Sequence, residues 1–377
     1  MKIAVLGTRG FPSVQGGVEA HCENLYPRLA AGGCKITAFT RAAYAADPSL
    51  KRFNGVDLAA LTCPKNKFLE ALFHTFKGVL RASRIKADIV HIHASGPALC
   101  VPLAKLLGMK VVMTSHGAEH LRDKWKGLAK YALLLGEYLG VSFADAVISV
   151  SKSNARRLIR KYKRKISFVP NGVNIPKMAE SSGILNRLGL SKGRYLLTVG
   201  RFVPEKGFID LIGAFRRLNR DDLKLVIAGR ADHEDGYSRK LKKEAAENPG
   251  VILAGFLSGL PLRELYSHAG LFVLPSYYEG LPIALLEALS FGLSCIASDI
   301  PANKEAPLTD ERFFTPGDIG QIGEKINKFI NAPLSQSEKE AQLTRLNERY
   351  NWDVIAGRIL EIYKGLYIGK ETCARIP

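Results

Sequence analysis

A chain of 377 residues exceeds one ordinary hydrophobic core and is long enough for two domains. Hydrophobic residues make up 47% and charged residues 24%, as in folded globular proteins, and no apolar run reaches the roughly 18 residues that a bilayer-spanning helix requires. The net charge of +19 is uneven: residues 1–170 carry 27 Lys and Arg against 10 Asp and Glu, whereas 171–377 carry 27 against 25, so an anionic partner is expected for the N-terminal half.

The opening MKIAVLG has too short an apolar run for a signal peptide and ends in a Gly turn, so it reads as a first strand. Further strands are expected at 34–40, 87–94, 110–115 and 145–150, apolar on both faces as in a parallel sheet covered by helices. Helical patterns separate them at 17–31, 66–84, 97–108, 121–139 and 151–163. A linker rich in Pro, Asn, Gly and Ser follows, PNGVNIPKMAESSGI (170–184), within the boundaries 171–193. The βα rhythm then restarts with strands at 194–200, 223–229, 251–256, 271–276 and 293–298 and helices at 206–219, 237–247, 260–269 and 282–291. Helices at 318–332 and 335–349 close this second domain, 194–350, and a last helix within 351–377 is expected to cross back to the first domain, 1–170. The fold class is α/β: two Rossmann-like, doubly wound domains facing across a cleft, with ligands at the carboxyl ends of the strands.

Four stretches carry chemistry. TVGRFVPEKGF (198–208) offers Arg201 and Lys206 at a strand-to-helix turn, where two cations beside a helix N-terminus suit a diphosphate; the plain alternative is a pair of solvated loop charges. GTRGFPSVQGGVEAH (7–21) is a Gly-rich turn in which Gly16 and Gly17 would let phosphate or sugar approach backbone amides, or would simply serve a loop. SHG (115–117) sets His116 at a strand end, as a site residue or as a structural hydrogen-bonder. His91 and His93 share one face of a strand, but no Cys or carboxylate spacing converges on them, so a metal pair is rejected. The six cysteines Cys22, Cys34, Cys63, Cys100, Cys295 and Cys373 form no C-x-x-C pair and read as reduced thiols of a cytosolic protein.

The fourth stretch is YYEGLPIALLEALS (277–290). Pro282 suits the first turn of a helix, which places Glu279 and Gly280 in the preceding turn and Glu287 among Ile283, Ala284, Leu285, Leu286, Ala288 and Leu289. A helix apolar on nearly every side is expected to be buried, and a buried carboxylate needs a partner. That partner is either a Lys or Arg elsewhere or a ligand diol. The amides of Gly280 and Leu281 could hold a phosphate.

E-x7-E (Glu279, Glu287), R-x4-K (Arg201, Lys206), the Gly16–Gly17 loop and the SHG histidine, in this order and context, together resemble glycosyltransferase family 4 over most of the chain. TSHGAEHLRDKW (114–125) and GTRGFPSVQGGVEAH resemble its bacterial rhamnosyltransferase-like subgroup, and PNGVN (170–174) and SDIPANKE (298–305) fall in the expected order. The resemblance implies a GT-B fold and retaining transfer from a nucleotide-sugar without a bound metal or other cofactor. It implies that Arg201 and Lys206 hold the donor diphosphate, aided by the amides of Gly280 and Leu281. Glu287 would bind the ribose diol, Glu279 the donor sugar, His116 the sugar near the reacting centre, and Gly16 and Gly17 the diphosphate or acceptor side. The base would rest near Phe256 and Leu257. The implied partners are a UDP-, GDP- or dTDP-sugar and a glycan or lipid-linked acceptor in polysaccharide assembly; the alternative is a catalytically inactive scaffold that binds sugar or membrane.

The segment 65–86 sets Phe68, Leu69, Leu72, Phe73, Phe76, Val79 and Leu80 at helical spacing among Lys65, Lys67, Lys77, Arg81, Arg84 and Lys86. Its apolar stripe reads as the core face that covers the sheet. Its charges, with those of ARRLIRKYKRK (155–165) and RDKWKGLAK (122–130), make peripheral contact with an anionic membrane the expectation for this half, and with it a cytoplasmic protein at the inner face of the cell membrane. No aromatic-basic RNA signature or helix-turn-helix accompanies the charge, so nucleic acid is not expected.

Overall fold

The computed structural model describes residues 1–45, 47–64, 69–121 and 127–373. Two compact units result, one made of Met1–Gly172 together with the chain from Trp352 onward, the other of Val173–Asn351. Among the described residues no helix is long and apolar enough to cross a membrane.

The first unit begins with β1 (Lys2–Leu6), α1 (Gly17–Ala31), β2 (Lys35–Arg41), β3 (Arg52–Phe53), β4 (Val56–Leu61), α2 (Glu70–Arg84) and β5 (Ile89–His93). It continues with α3 (Val101–Leu106), β6 (Lys110–Ser115), α4 (Leu128–Phe143), β7 (Ala146–Ser149), α5 (Lys152–Tyr162) and β8 (Ser167–Phe168). The sheet order is β3-β4-β2-β1-β5-β6-β7-β8, parallel except for the β3–β4 pair. The order reverses beside β1, so the loops after β1 and β5 diverge and leave a crevice at their carboxyl ends. The β3–β4 hairpin was not expected. Its signal was the dipeptide Asn54-Gly55, whose positive φ values of 43° and 86° allow the tight turn.

One side of this sheet packs on α2, α3, α4 and α5 through Val79, Ala82, Val101, Ala104, Val141 and Leu158. The apolar stripe expected to be the core face of α2 is so only in part: Val79 is buried and Leu72 packs against the core, but the aromatic side is not covered. The buried face is His74, Thr75, Gly78, Val79 and Ala82, while Leu69, Phe73 and Phe76 are exposed. The reason is steric: a Cβ at Gly78 would lie 2.1 Å from Leu6, so the helix sits close to β1 on its small-residue side and turns its aromatic side outward. Phe68, Lys65, Lys67 and residues 122–126 of the other basic segment lie outside the described residues.

The second unit comprises α6 (Gly183–Leu188), β9 (Tyr195–Val199), α7 (Phe208–Leu218), β10 (Lys224–Ala228), α8 (Gly236–Ala246), β11 (Val251–Gly255) and α9 (Gly259–His268). Then come β12 (Leu271–Leu274), α10 (Ile283–Ser290), β13 (Cys295–Ser298), β14 (Phe313–Phe314), α11 (Ile319–Ile330) and α12 (Gln336–Tyr350). Its all-parallel order β11-β10-β9-β12-β13-β14 reverses between β9 and β12. The stretch expected as a linker carries α6, with Ile184 and Leu185 buried and the Ile184 N–H donated to Glu264 Oε2 at 2.7 Å. The long last helix α13 (Trp352–Cys373) belongs to the first unit. It lies against α1 on the other side of that sheet, where Ile355, Ile359 and Tyr363 join Leu25, Tyr26 and Leu29 in one core.

Glu137 fastens α4 to α5. Its side chain is fully buried and accepts from Arg157 (2.5 and 3.0 Å), Lys161 (3.0 Å) and Tyr162 (2.9 Å). Burial raises its pKa, but the Arg157 and Lys161 bonds outweigh it and hold the carboxyl at about 2. Its partners are themselves part-exposed and can rehydrate, so Glu137→Leu is expected to cost about 2 kcal/mol, below the loss typical of a pair buried on both sides. Because the folded pKa is depressed, the wild-type contribution is complete above the ordinary carboxylate range and is lost as pH falls toward 2. Urea denaturation of both proteins across that range checks the size and the direction.

Candidate active site

In the second unit the loops after β9 and β12 meet across the point where the strand order reverses. Three contacts hold them together. The Tyr277 N–H donates to the Glu205 carbonyl at 2.9 Å, Gly207 (φ 65°) lies so close to Pro275 that a Cβ would be 2.3 Å from its carbonyl oxygen, and Lys206 Nζ donates to Glu279 Oε1 at 2.6 Å. The Ser276 hydroxyl donates to the same Oε1 at 2.7 Å. Ser276 is buttressed in turn by Ser298 Oγ, which donates to its carbonyl at 2.5 Å, and Asn303 Nδ2 holds Ser298 at 2.9 Å. SDIPANKE is thus the brace behind the Glu279 turn.

Arg201 lies on the same loop and pairs with Asp232 at 3.0 Å. An ammonium has three N–H groups and a guanidinium five, so both cations keep donors beyond these carboxylates. Pro282 is not in the first turn of α10 but is its N-cap residue, φ −77° and ψ 98°. Helix-start amides therefore include those of Ile283 and Ala284 as well as the expected Gly280 and Leu281, which are buried in the turn.

Nor is α10 buried all round. Leu285, Leu286, Ala288 and Leu289 face the core, while Ile283, Ala284 and Glu287 form a half-buried face. A phenol meets Glu287: Tyr266 OH donates to Oε2 at 3.1 Å. Tyr266 is fully enclosed, and burial and then the Glu287 charge raise its pKa well above the ordinary value, so it stays a donor. Phe256 and Leu257 end β11 half-buried, with the Arg230 guanidinium 5.4 Å from the Phe256 ring centre.

In the first unit the loop after β1 wraps a buried ion pair that sequence reasoning missed. Arg9 donates through Nε to Glu19 Oε1 at 3.2 Å and through its N–H at 3.1 Å. Gly16 (φ 146°) caps α1 against this pair: a Cβ there would sit 2.0 Å from Glu19 Oε2. That side of Gly16 is occupied, and Gly17 is the exposed residue of the two.

His116, just past β6, is buried and joined to a histidine cluster. Its Nε2 is 3.0 Å from His93 Nδ1, and His93 Nε2 is 2.5 Å from Tyr26 OH. His21 packs edge-on against His116 and holds Asn171 Oδ1 through Nδ1 at 2.9 Å. Tyr363 OH reaches His91 Nδ1 at 2.6 Å, and His91 Nε2 reaches Thr114 Oγ1 at 2.7 Å.

Two directions of donation fit these distances, since Tyr26 OH also lies 3.1 Å from His91 Nδ1, and one of them runs from the tyrosines toward His116. In that direction Tyr363 donates to His91, which donates to Thr114; Tyr26 donates to His93, which donates from Nδ1 to His116 Nε2. His116 then carries its own proton on Nδ1. Burial lowers the pKa of His21 to about 4 and of His91 to about 3, and lowers that of His93 well below 6.5, so these rings are neutral at pH 7. Nitrogens of His21, His93 and His116 all lie within 4.8 Å of one another. Sequence spacing found no third donor for His93, because parallel pairing of β5 with β6 and the packing of α1 create the cluster. Only the GGVEAH motif, His21 four residues after Gly17, hinted at it. Asn171 gives PNGVN its place: it orients His21.

Residues 15–176 match the family model described as Glycosyltransferase Family 4, and residues 184–349 match that of Glycosyl transferases group 1. Among curated relatives, alpha-maltose-1-phosphate synthase of Mycolicibacterium smegmatis is 27% identical over 400 residues, covering 97% of this chain and 99% of the relative. The UDP-Gal:alpha-D-GlcNAc-diphosphoundecaprenol alpha-1,3-galactosyltransferase of Escherichia coli is 30% identical over 261 residues, covering 66% of this chain and 65% of that one. Among solved structures, sucrose-phosphate synthase from Thermosynechococcus elongatus superposes with a TM-score of 0.84 at 21% identity, covering 98% and 99% of the two chains. Anabaena HepE in complex with UDP-glucose gives 0.78 at 19% identity over 97% and 100%. The fold is therefore GT-B, and the inactive scaffold is the less favoured alternative, since these relatives carry enzyme names.

The histidine cluster makes a pH prediction. A histidine whose folded pKa is depressed binds fewer protons folded than unfolded, so its contribution to stability is complete above about 6.5 and is lost as pH falls through the folded values. Calorimetry should find the Tm of the wild-type protein falling by several degrees between pH 7 and pH 4, through protons taken up on unfolding. A flat Tm across that interval would contradict the neutral, buried assignment.

Proposed function

We propose, taking as premise that this chain is a nucleotide-sugar glycosyltransferase made of a Family 4 domain followed by a group 1 domain, that it acts with retention of configuration and without a bound metal. The donor is a UDP-, GDP- or dTDP-sugar, and the acceptor is a glycan or lipid-linked molecule. The observation that carries the reading is the Lys206–Glu279 pair at the switch point of the second sheet, beside the N-terminus of α10 and on the same loop as Arg201.

Departure of a nucleoside diphosphate concentrates negative charge where the glycosidic bond breaks. Lys206, Arg201 and the amides around Gly280 and Leu281 are fixed donors for that charge, which is the work a metal ion would otherwise do. Glu279 holds Lys206 in place and presents its remaining lone pairs to the donor sugar. Glu287, steadied by Tyr266, accepts from the ribose diol. Glu279 and Glu287 are separately engaged and offset along a turn and a helix, unlike the paired acid and base of a glycosidase. The leaving phosphate accordingly takes the proton of the acceptor hydroxyl, which enters on the face the phosphate leaves.

In the direction of donation that runs from Tyr26 through His93, His116 donates to the donor sugar from Nδ1, and Gly16 and Gly17 border the acceptor side. A cavity of about 250 Å³ lined by Phe11, Pro12, Thr40, Leu50, Lys51 and Leu58 offers a space of mixed character for an acceptor. Membership of the rhamnosyltransferase-like subgroup is supported by GTRGFPSVQGGVEAH and TSHGAEHLRDKW. The basic first unit and the diphosphoundecaprenol acceptor in the name of the Escherichia coli relative support a lipid-linked acceptor at the inner membrane face.

A donor screen that detects released nucleoside diphosphate, followed by NMR of the product's anomeric proton, tests this reading: an inverted product or EDTA-sensitive turnover would refute it. Lys206→Ala is expected to lower kcat at least 100-fold, the scale of one lost transition-state donor. Glu287→Ala should act mainly by raising KM for the donor. Wild-type turnover of Lys206→Ala in a correctly folded protein would remove the assignment.

A further inference from the structure

We infer that the outer face of α2, α3, α4 and α5 is the surface by which the first unit seats on an anionic lipid bilayer. The inference rests on the reading that this basic half meets a membrane, and it assigns the face and the side chains.

The first observation is an unpartnered helix face. Leu128, Tyr131, Leu135 and Tyr138 recur at spacings of three and four along α4, so they line one side of the helix, and each is at least 50% exposed. The opposite side, Leu133, Gly136, Glu137, Gly140 and Val141, faces the core. Leu69, Phe73 and Phe76 repeat the pattern on α2, at spacings of four and three. These helices lie on one side of the sheet, joined through α3, whose end exposes Leu106. A soluble monomer scatters its exposed apolar side chains singly; here they are ordered along two helices of one layer.

The second observation is charge. The four helices contain ten Lys and Arg but two carboxylates, Glu70 and Glu137. Both carboxylates are buried: Glu70 lies 3.3 Å from Arg41, and Glu137 is held by Arg157 and Lys161. What the face shows to solvent is therefore apolar and cationic. Lys77, Arg81 and Arg84 continue the exposed side of α2, Lys130 stands beside Leu128 and Tyr131, and Arg156 and Arg160 project from α5.

A second copy of this chain would bring the same positive charge to the interface and be repelled, whereas anionic headgroups neutralise it. Tyrosine suits the depth at which headgroups meet acyl chains, and leucine and phenylalanine suit the layer beneath. The apolar groups are spread over parallel helix ridges rather than gathered in a pocket, which fits a bilayer better than the anchor residues of a folded protein partner.

The test is sedimentation of the full-length protein with phosphatidylcholine vesicles, with and without phosphatidylglycerol, at low and high salt. Wild type is compared with Leu128→Glu/Leu135→Glu, with Phe73→Glu, and with a control, Lys242→Glu/Lys243→Glu, on exposed α8 of the second unit. Circular dichroism and Tm verify that each variant is folded. Wild type and control are expected to bind phosphatidylglycerol vesicles at low salt at least tenfold more tightly than neutral ones, and the double variant to lose at least tenfold, with Phe73→Glu intermediate. If wild type binds no anionic vesicle, the membrane reading itself falls. If wild type binds and the α2 and α4 variants bind equally well, the membrane reading stands and this face is overturned. If wild type is a dimer in sedimentation velocity and Leu128→Glu/Leu135→Glu is a monomer, the face is a self-association surface and the inference is overturned.

Discussion

Each of the two sheets reverses its strand order once beside its own first strand, and the chemistry of the protein depends on that constraint. Where the order reverses, successive loops leave in opposite directions, and the carboxyl ends of two adjacent strands stand uncovered. In the first unit these are the ends of β1 and β5, which bring the Gly16–Gly17 loop and His93 together; β6 next to β5 adds His116. In the second they are the ends of β9 and β12, which carry Lys206 and Glu279. Loops that are 73 residues apart in sequence become hydrogen-bonded partners because two strands are neighbours.

Charge is handled in opposite ways by the two units. In the first, the acids Glu19, Glu70 and Glu137 are drawn inside and each is met by arginine, so the excess of Lys and Arg remains on view. In the second, the cations of the loop after β9 are the ones held, Lys206 by Glu279 and Arg201 by Asp232, in settings only partly closed to solvent. A cation held by one carboxylate is fixed in position without being used up, the condition for stabilising charge that develops during a reaction. The histidine cluster works by another principle. Enclosure keeps His21, His91 and His93 neutral, and hydrogen bonds joined end to end couple the proton position on His116 to that on His93 and Tyr26.

Much of this was legible in the residues. Apolar runs flanked by amphipathic periods gave nearly every long strand and helix, because burial on both faces of a parallel strand leaves an unmistakable composition. Glu287 could be named because a carboxylate in an apolar helix must have a partner, Arg201 and Lys206 because two cations stand at a strand-to-helix turn, and Glu279 through the E-x7-E resemblance. Two kinds of error have physical causes. Periodicity marks which side of a helix is apolar but not which side meets the sheet: on α2 the small face of Gly78 approaches β1 and the aromatic face is left outside. Hydropathy likewise overstated the enclosure of Glu287, since whether a helix is covered on all sides depends on what else reaches it.

The sequence by itself determined the α/β class, the two-unit organisation, the basic character of the first half and the identity of the residues at strand ends, because these follow from local pattern and composition. The tertiary structure alone decided which of them touch. It set Arg9 on Glu19 beneath Gly16, Tyr26 and His93 behind His116, Tyr266 on Glu287, and Ser298 and Asn303 behind Ser276. Those contacts join positions from different strands and helices, and strand register and helix packing, to which no local stretch of sequence is sensitive, set their distances.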